Sequence, residues 1–369
     1  MLLPAMLGLS TASAAGGEPV LVLYYPSPSW PIGAVDLDGD GAADLAAEIC
    51  MWNLEAASGE AVMEVYGNGT VVYRHSLEGM RLRDSSAYVA GYPEVFVGRK
   101  PWVDVWAPDN PVGLPARVGG MLDFYIVVGY SLDYYTPGVP VNFALDLWLT
   151  RERFEEGVHG GVEVMVWLYR DGLSPGGSWA GSVALSGFLD GEPRRLVFDV
   201  YRDVRGWDGY SWTFIAFVLR EPVRRGCIAV PVGELLEAAE RYAGRSLGAL
   251  YLQGVEAGTE FGSPWTRSSR LEWRITLLAL APLPWPAGGG GCPAGAWRGA
   301  AAAETVTVTE TVTETETVTL ELRETVTRTE TVTVAETVTS IVSEPAGGWG
   351  ALLLLLLALL LLLALLAGA

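Results

Sequence analysis

The stretch VEVMVWL (162–168) sets an acid, a thioether and an indole at every second residue: Glu163, Met165 and Trp167. Alternation sorts side chains to opposite faces of a strand, so these three share one face and the valines share the other. The valine face suits a core, while the opposite face joins a carboxylate to flat apolar surfaces. VNFALDLWLT (141–150) divides in the same way, with Phe143, Leu145, Leu147 and Leu149 against Asn142, Asp146, Trp148 and Thr150. If the two strands are neighbours, Asp146 stands beside Glu163 on an aromatic-lined groove. A third acid, Glu260, lies in VEAGTEFGSPW (255–265), loosened by glycine on one side and desolvated by Phe261 and Trp265 on the other. Glu256 falls on the same face if that strand stays regular, and a salt-bridged or solvated role is expected of it.

Two carboxyl groups about 5–5.5 Å apart are the working parts of a retaining glycosidase: one ionised to attack the anomeric carbon, one protonated to release the leaving oxygen. Their surroundings must push the two pKa values apart. Indole rings give sugars flat apolar faces, and the chain has 14 tryptophans. Pattern alone also fits a sheet whose outer face is covered by loops, with Glu163 paired to an arginine.

The elements that must position these residues read as strands. Alternating or β-branched runs occur at 20–25, 61–77, 92–98, 124–135, 141–151, 162–170, 182–202, 211–220, 249–258 and 270–280. Asn68-Gly69 divides the second run and is a strong hairpin signal; Asn68-Gly69-Thr70 is also a glycosylation sequon. Turn residues at short intervals suit an antiparallel sandwich. PVGELLEAAERYAGRS (231–246) is the single amphipathic helix, with Leu235, Leu236, Ala239 and Tyr242 on one face and Gly244 placed to end it. The expected fold is all-β, a sandwich of two antiparallel sheets with one packed α-helix.

At this point the residues resemble a known family. EVMVW (163–167) followed by PGG (175–177), together with GTEFG (258–262), look like the two catalytic motifs of glycoside hydrolase family 12. GYPEVFVGRKPW (91–102), VNFALDLWLT and the helix after CIAVP (227–231) also resemble archaeal members in order and spacing. The resemblance spans roughly residues 49–280. It implies a β-jelly-roll endo-β-1,4-glucanase or a related enzyme cleaving xyloglucan or mixed-linkage glucan. By the same resemblance Glu163 is the nucleophile, Glu260 the acid/base, and Asp146 the acid beside the nucleophile that keeps the proton on Glu260 by like-charge repulsion. It further implies that Met165 and Trp167 flank the nucleophile, that Trp52 stacks on a sugar at the non-reducing end, and that Lys100 and Trp102 face the cleft. The chain departs from the family at Cys50, where members usually carry asparagine, and at Ala90, where related sequences often carry histidine. Both departures bear on substrate contacts rather than on the reaction.

AVDLDGDGAADLAAE (34–48) carries Asp36, Asp38, Asp40, Gly41 and Asp44 at the 1, 3, 5, 6 and 9 positions of a calcium loop. Position 12 is Ala47, and Glu48 comes one place late, so an EF-hand proper is not expected. A structural calcium in a DxDxDG loop is expected, with a bare acidic turn as the alternative. No cofactor is expected for catalysis.

The ends and the composition set the context. Residues 1–15 read as a signal peptide ending at Ala12-Ser13-Ala14, although no basic residue precedes the apolar run. Residues 349–369 are uncharged and leucine-rich, long enough to span a bilayer as a helix. Residues 282–303 are a Pro/Gly-rich linker, and 304–348 repeat ETVT as an extended stalk, with strand pairing between neighbouring stalks as the competing idea. That leaves a segment at 16–48 with the acidic loop and a catalytic domain at 49–281. The expected setting is extracellular, tethered to the membrane by the C-terminal helix. A net charge of −19 argues against nucleic-acid binding. Scarce asparagine, glutamine and lysine suit a thermophile or a GC-rich genome. Three cysteines allow one disulfide at most. An endo-β-1,4-glucanase is the leading expectation. A non-catalytic cell-surface β-glucan-binding protein would have no reason to keep acids at both motif positions, and a surface-layer protein leaves the groove residues unexplained.

Overall fold

The computed structural model describes residues 17–282, 310–319 and 325–334. The expected signal peptide, nearly all of the linker and the apolar segment 349–369 lie outside the described residues. Among the described residues, no helix is long and apolar enough to cross a membrane.

In chain order the body opens with Pro19–Tyr25 (β1), Ile32–Val35 (β2), Leu45–Glu48 (β3), Leu54–Tyr66 (β4), Val71–Leu82 (β5) and Glu94–Arg99 (β6). Two short strands, Trp106–Ala107 (β7) and Ala116–Arg117 (β8), precede Phe124–Tyr135 (β9), Val141–Thr150 (β10) and Val162–Asp171 (β11). Ser178–Leu189 (β12), Glu192–Trp207 (β13), Tyr210–Leu219 (β14) and Arg225–Pro231 (β15) follow. The helix Val232–Ala243 (α1), Tyr251–Leu252 (β16), Gly254–Gly258 (β17) and Ser268–Pro282 (β18) complete it.

Pairing runs β1–β4–β5–β18–β9–β15 in one layer. The other layer runs β2–β3–β6–β17–β10–β11–β14–β13–β12. β12 also pairs with β15 through Phe188 and Leu189, so the layers join along that edge as in a jelly roll. Within this framework β11 and β14 run parallel and their neighbours antiparallel. β1 to β3 are built into both layers, so residues 17–48 are structurally part of the body.

The core is the set of alternate side chains that face inward from each layer. Met63, Tyr73, Ile126 and Val128 from the first layer meet Leu145, Leu147, Val164, Val166 and Phe217 from the second, all buried. The rings of Tyr130 and Phe143 stack across the layers at 3.7 Å between centroids. The helix buries Leu235, Leu236 and Ala239 as expected, and Gly244 ends it in the left-handed region at φ 69°. Asn68-Gly69 makes the expected hairpin between β4 and β5, with Asn68 Oδ1 accepting from the Thr70 amide at 3.0 Å. The run at 182–202 is two strands rather than one. Asp190 and Gly191 both take positive φ (52° and 83°) and turn the chain back on itself.

In the unit Ala300–Ala369, Glu310–Thr319 (β19) and Thr325–Val334 (β20) pair antiparallel. The expected stalk therefore folds back on itself here, because two Thr/Val-alternating segments of one chain are the nearest available pairing partners.

Gly258 closes β17 against β6, where an added Cβ would sit 2.4 Å from the Pro93 carbonyl oxygen and 2.7 Å from the Glu94 Cβ. Gly258→Ala is therefore expected to cost about 1–3 kcal/mol as overpacking. Calorimetry should show the melting temperature falling by about 5 °C; an unchanged value would contradict this close approach.

Candidate active site

The face of the second layer turned away from the core carries acids on five adjacent strands. Glu48 (β3) lies opposite Glu94 (β6), which lies opposite Gly258 (β17). Glu256, two residues before Gly258, lies opposite Asp146 (β10). Glu163 (β11) lies opposite Trp148, one diagonal step from Asp146. All five are buried. The sandwich alternation that sends Val95, Val255, Leu145 and Val164 inward puts these acids together on the other side.

Glu163 accepts a hydrogen bond from the indole Nε1–H of Trp212 on β14. Trp148, Trp212 and Trp102 pack edge-on or tilted around it, with Trp102 centroids 5.5 Å from Trp148, 5.8 Å from Trp212 and 5.4 Å from Tyr210. Burial raises the Glu163 pKa from its ordinary 4.5 to about 8, while the Trp212 bond and the nearby charge of Arg205 pull it down. Asp146 is raised well above its ordinary value, first by burial and then by the charge of Glu163. Its Oδ1 has no donor among the described residues. Two buried carboxyls so placed cannot both ionise freely and titrate as a pair. The indole donor stabilises the charged form of Glu163, whereas Asp146 Oδ1 has none, so of the two Asp146 is the more strongly favoured to hold a proton.

Glu260 follows the end of β17 and is fixed by a single residue. Asn142 Nδ2 donates to Glu260 Oε2 at 2.6 Å, and Asn142 Oδ1 accepts from the Glu260 amide at 2.8 Å. The Asn142 amide also donates to the Glu260 carbonyl at 3.0 Å. Three bonds hold both the backbone and the carboxyl of Glu260 in place. Burial lifts its pKa to about 7, opposed by Asn142 and by Arg205. A carboxyl that titrates near neutrality suits general acid–base work. Arg205 on β13 faces both acids electrostatically; it lies over the Phe214 ring at 5.0 Å and pairs with Asp203 at 3.3 Å. The Pro-Gly-Gly turn packs against it so closely that a Cβ at Gly176 would meet its Nη2 at 1.6 Å.

The other expected positions fare differently. Met165 and Trp167 are buried beside Glu163, with Trp167 Nε1 donating to Met165 Sδ at 3.5 Å. Trp52 packs against this patch and meets Trp207 edge-on at 5.1 Å. Lys100 does not face an open cleft. It is 6% exposed and its Nζ donates to Glu48 Oε2 at 2.8 Å and to Glu94 Oε1, because the row of buried acids needs a cation. Glu256 is neither solvated nor directly ion-paired; it is buried beside Glu94, and its Oε1 lacks a donor among the described residues. Sequence reading missed Trp212 and Arg205 as partners of the acids and left Asn142 without a role. Asn142 and Trp212 were visible as outward positions of alternating strands, but nothing local tied them to Glu260 or Glu163.

The acidic loop is closed by its own backbone. Asp36 accepts from the amides of Gly39 (2.6 Å) and Gly41 (2.8 Å), Asp38 from Asp40 (3.1 Å), and Asp40 from Ala42 (2.8 Å). Asp44 accepts from the Leu37 amide at 2.6 Å. Oxygen atoms of Asp36, Asp38 and Asp40 converge, as do those of Asp38, Asp44 and Asp109, a residue the sequence pattern did not include.

The buried acids give stability a definite pH dependence. Burial raises Glu256 from its ordinary 4.5 to about 8 in the fold. Between those values the native state holds a proton that the unfolded chain has released, so stability falls as pH rises. Glu256→Gln removes this contribution, and the decline in melting temperature from pH 5 to pH 8 should be shallower than in the parent. A variant whose decline is as steep as the parent's would place the cause elsewhere.

The sequence profile of Glycosyl hydrolase family 12 matches residues 45–277. A search of curated protein sequences finds no match. Among solved structures, a family 12 xyloglucanase from Bacillus licheniformis in complex with ligand aligns with a TM-score of 0.55 at 15% identity, over 71% of this chain and 99% of that one. The native form of that enzyme aligns with a TM-score of 0.52 at 15% identity, over 68% and 99%. An endoglucanase from Rhodothermus marinus aligns with a TM-score of 0.48 at 22% identity, over 71% and 100%. The profile covers most of the chain and both catalytic motifs, and the jelly roll matches the family's fold; the chain belongs to glycoside hydrolase family 12.

Proposed function

We propose that the protein is a retaining endo-β-1,4-glucanase that hydrolyses internal bonds of cellulose or related β-glucans. The observation that carries this reading is the unequal treatment of two acids. Glu163 is held by an indole N–H beside a proton-bearing Asp146. Glu260 is clamped by Asn142 with its pKa near 7. Glu163 attacks the anomeric carbon while Glu260 gives its proton to the departing glycosidic oxygen. The glycosyl–Glu163 ester is then opened by water, whose proton Glu260 takes back. These two carboxyls suffice for both displacements. The Trp148 Nε1–H is buried with no partner among the described residues.

The aromatic lining of Trp52, Trp102 and Trp207 supports a polymeric glucan as substrate. Similarity to a named xyloglucanase and a named endoglucanase supports testing xyloglucan beside cellulose and mixed-linkage glucan. The apolar ends of the sequence support an extracellular enzyme tethered to the membrane. The DxDxDG loop supports one structural calcium held by Asp36, Asp38, Asp40 and Asp44, with Asp109 added.

Incubation with carboxymethylcellulose, barley β-glucan and xyloglucan should release reducing ends. Glu163→Gln and Glu260→Gln should each lose at least about 10³-fold in kcat/KM on the substrate that the parent cleaves. Proton NMR of the first product should show the β-anomer, and an α-anomer would rule out double displacement. For the loop, a chelator should lower the melting temperature and calcium should restore it; indifference to both would argue for a bare acidic turn.

A further inference from the structure

The acids behind the nucleophile form a continuous row with one lysine bonded into it. Glu48 accepts from the Trp30 indole and from Lys100. Lys100 also donates to Glu94 Oε1. Cys50 Sγ lies 3.6 Å from the same Nζ. Burial favours a neutral amine, yet the surrounding anions hold Lys100 charged, with its pKa raised well above the ordinary value.

On the far side of Glu94 the bonding changes character. Glu94 Oε2 and Glu256 Oε1 are buried, and neither meets an N–H or hydroxyl donor among the described residues. Burial and then the charge of Glu256 raise the Glu94 pKa well above its ordinary value, which favours a proton on one of the two. One strand further on, Asp146 Oδ1 also lacks a donor, and Asp146 lies one diagonal step from Glu163. Tyr92, the remaining titratable group against this face, spends its hydroxyl on the Ala144 carbonyl at 2.9 Å. Arg205 and Glu260 face Glu163 from the open side. Oxygen and sulfur atoms of Glu48, Cys50 and Glu94 converge closely enough for a metal, but the Lys100 ammonium bonds all three and fills that place.

We propose that Lys100 and Glu48 are positioning residues for catalysis: acting along the row through Glu94, Glu256 and Asp146, they set the pH at which Glu163 becomes the carboxylate that attacks the sugar. Neither residue touches the substrate. Lys100 draws negative charge onto the row, which lets Asp146 and Glu163 give up their first proton at lower pH. Glu48 opposes it. Burial on five neighbouring strands keeps the dielectric low enough for charge to be felt across the sheet.

The inference rests on Glu163 being the nucleophile, and the test separates the two claims. kcat/KM on barley β-glucan is measured against pH for the full chain and for Lys100→Met, Glu48→Gln, the double variant and Glu163→Gln. Loss of the cation should move the acid limb of Lys100→Met up by about one pH unit. Loss of an anion should move that of Glu48→Gln down. The double variant restores the net charge of the row, and its limb should return to the parent position. A purely structural lysine would lower the melting temperature and kcat while leaving the limb where it was. Acid limbs that coincide with the parent in folded single variants overturn the proposal, and Glu48→Gln alone decides if Lys100→Met fails to fold. Activity in Glu163→Gln overturns the nucleophile assignment itself; an inactive Glu163→Gln beside unmoved limbs overturns only the role of Lys100 and Glu48.

Discussion

Five carboxyl groups buried on one sheet face, with one ammonium among them, set the terms for everything around them. An isolated buried carboxylate is costly, and the cost falls only when it gains a cation, a proton or a donor. The protein uses all three. Lys100 and Trp30 donate to Glu48, burial beside Glu256 favours a proton on Glu94, and Trp212 gives Glu163 an N–H.

This arrangement depends on the jelly roll. A sheet with its inward face packed against a second sheet can turn its other face into a shielded trough, and strand alternation then decides which side chains enter it. Val164 and Val166 face the core beneath, while Glu163, Met165 and Trp167 share the trough with Asp146 and Trp148. Glycine serves where neighbours crowd the chain, as at Gly258 against the backbone of Pro93 and Glu94 and at Gly176 against the Arg205 side chain. The aromatic rings exclude water from acids whose pKa is raised by burial.

Glu163 and Glu260 are set apart by their partners rather than by residue type. Glu260 hangs just beyond a strand end, and a single asparagine on the neighbouring strand fixes its amide, carbonyl and carboxyl together. Glu163 lies within a strand and takes its donor from the parallel neighbour β14. Arg205 favours the ionised form of both and so keeps either from being locked as a neutral acid. The same fold therefore gives two glutamates two different surroundings.

Much of this was already legible in the chain. Period-two patterning predicted that Glu163 and Asp146 face away from the core, Asn68-Gly69 marked a hairpin, and Gly244 marked the helix end, because these features depend on neighbours a few residues apart. The family motifs pointed to Glu163 and Glu260 together. Tertiary structure alone decided what those acids touch. Asn142 is 118 residues from Glu260 and Trp212 is 49 from Glu163, distances along the chain across which no local pattern operates. It also overruled the place expected for Lys100, whose charge is drawn into the row of acids instead of lying open to substrate. Local sequence fixes which way a side chain points; its ionisation follows from charges that meet only when strands from distant parts of the chain lie side by side.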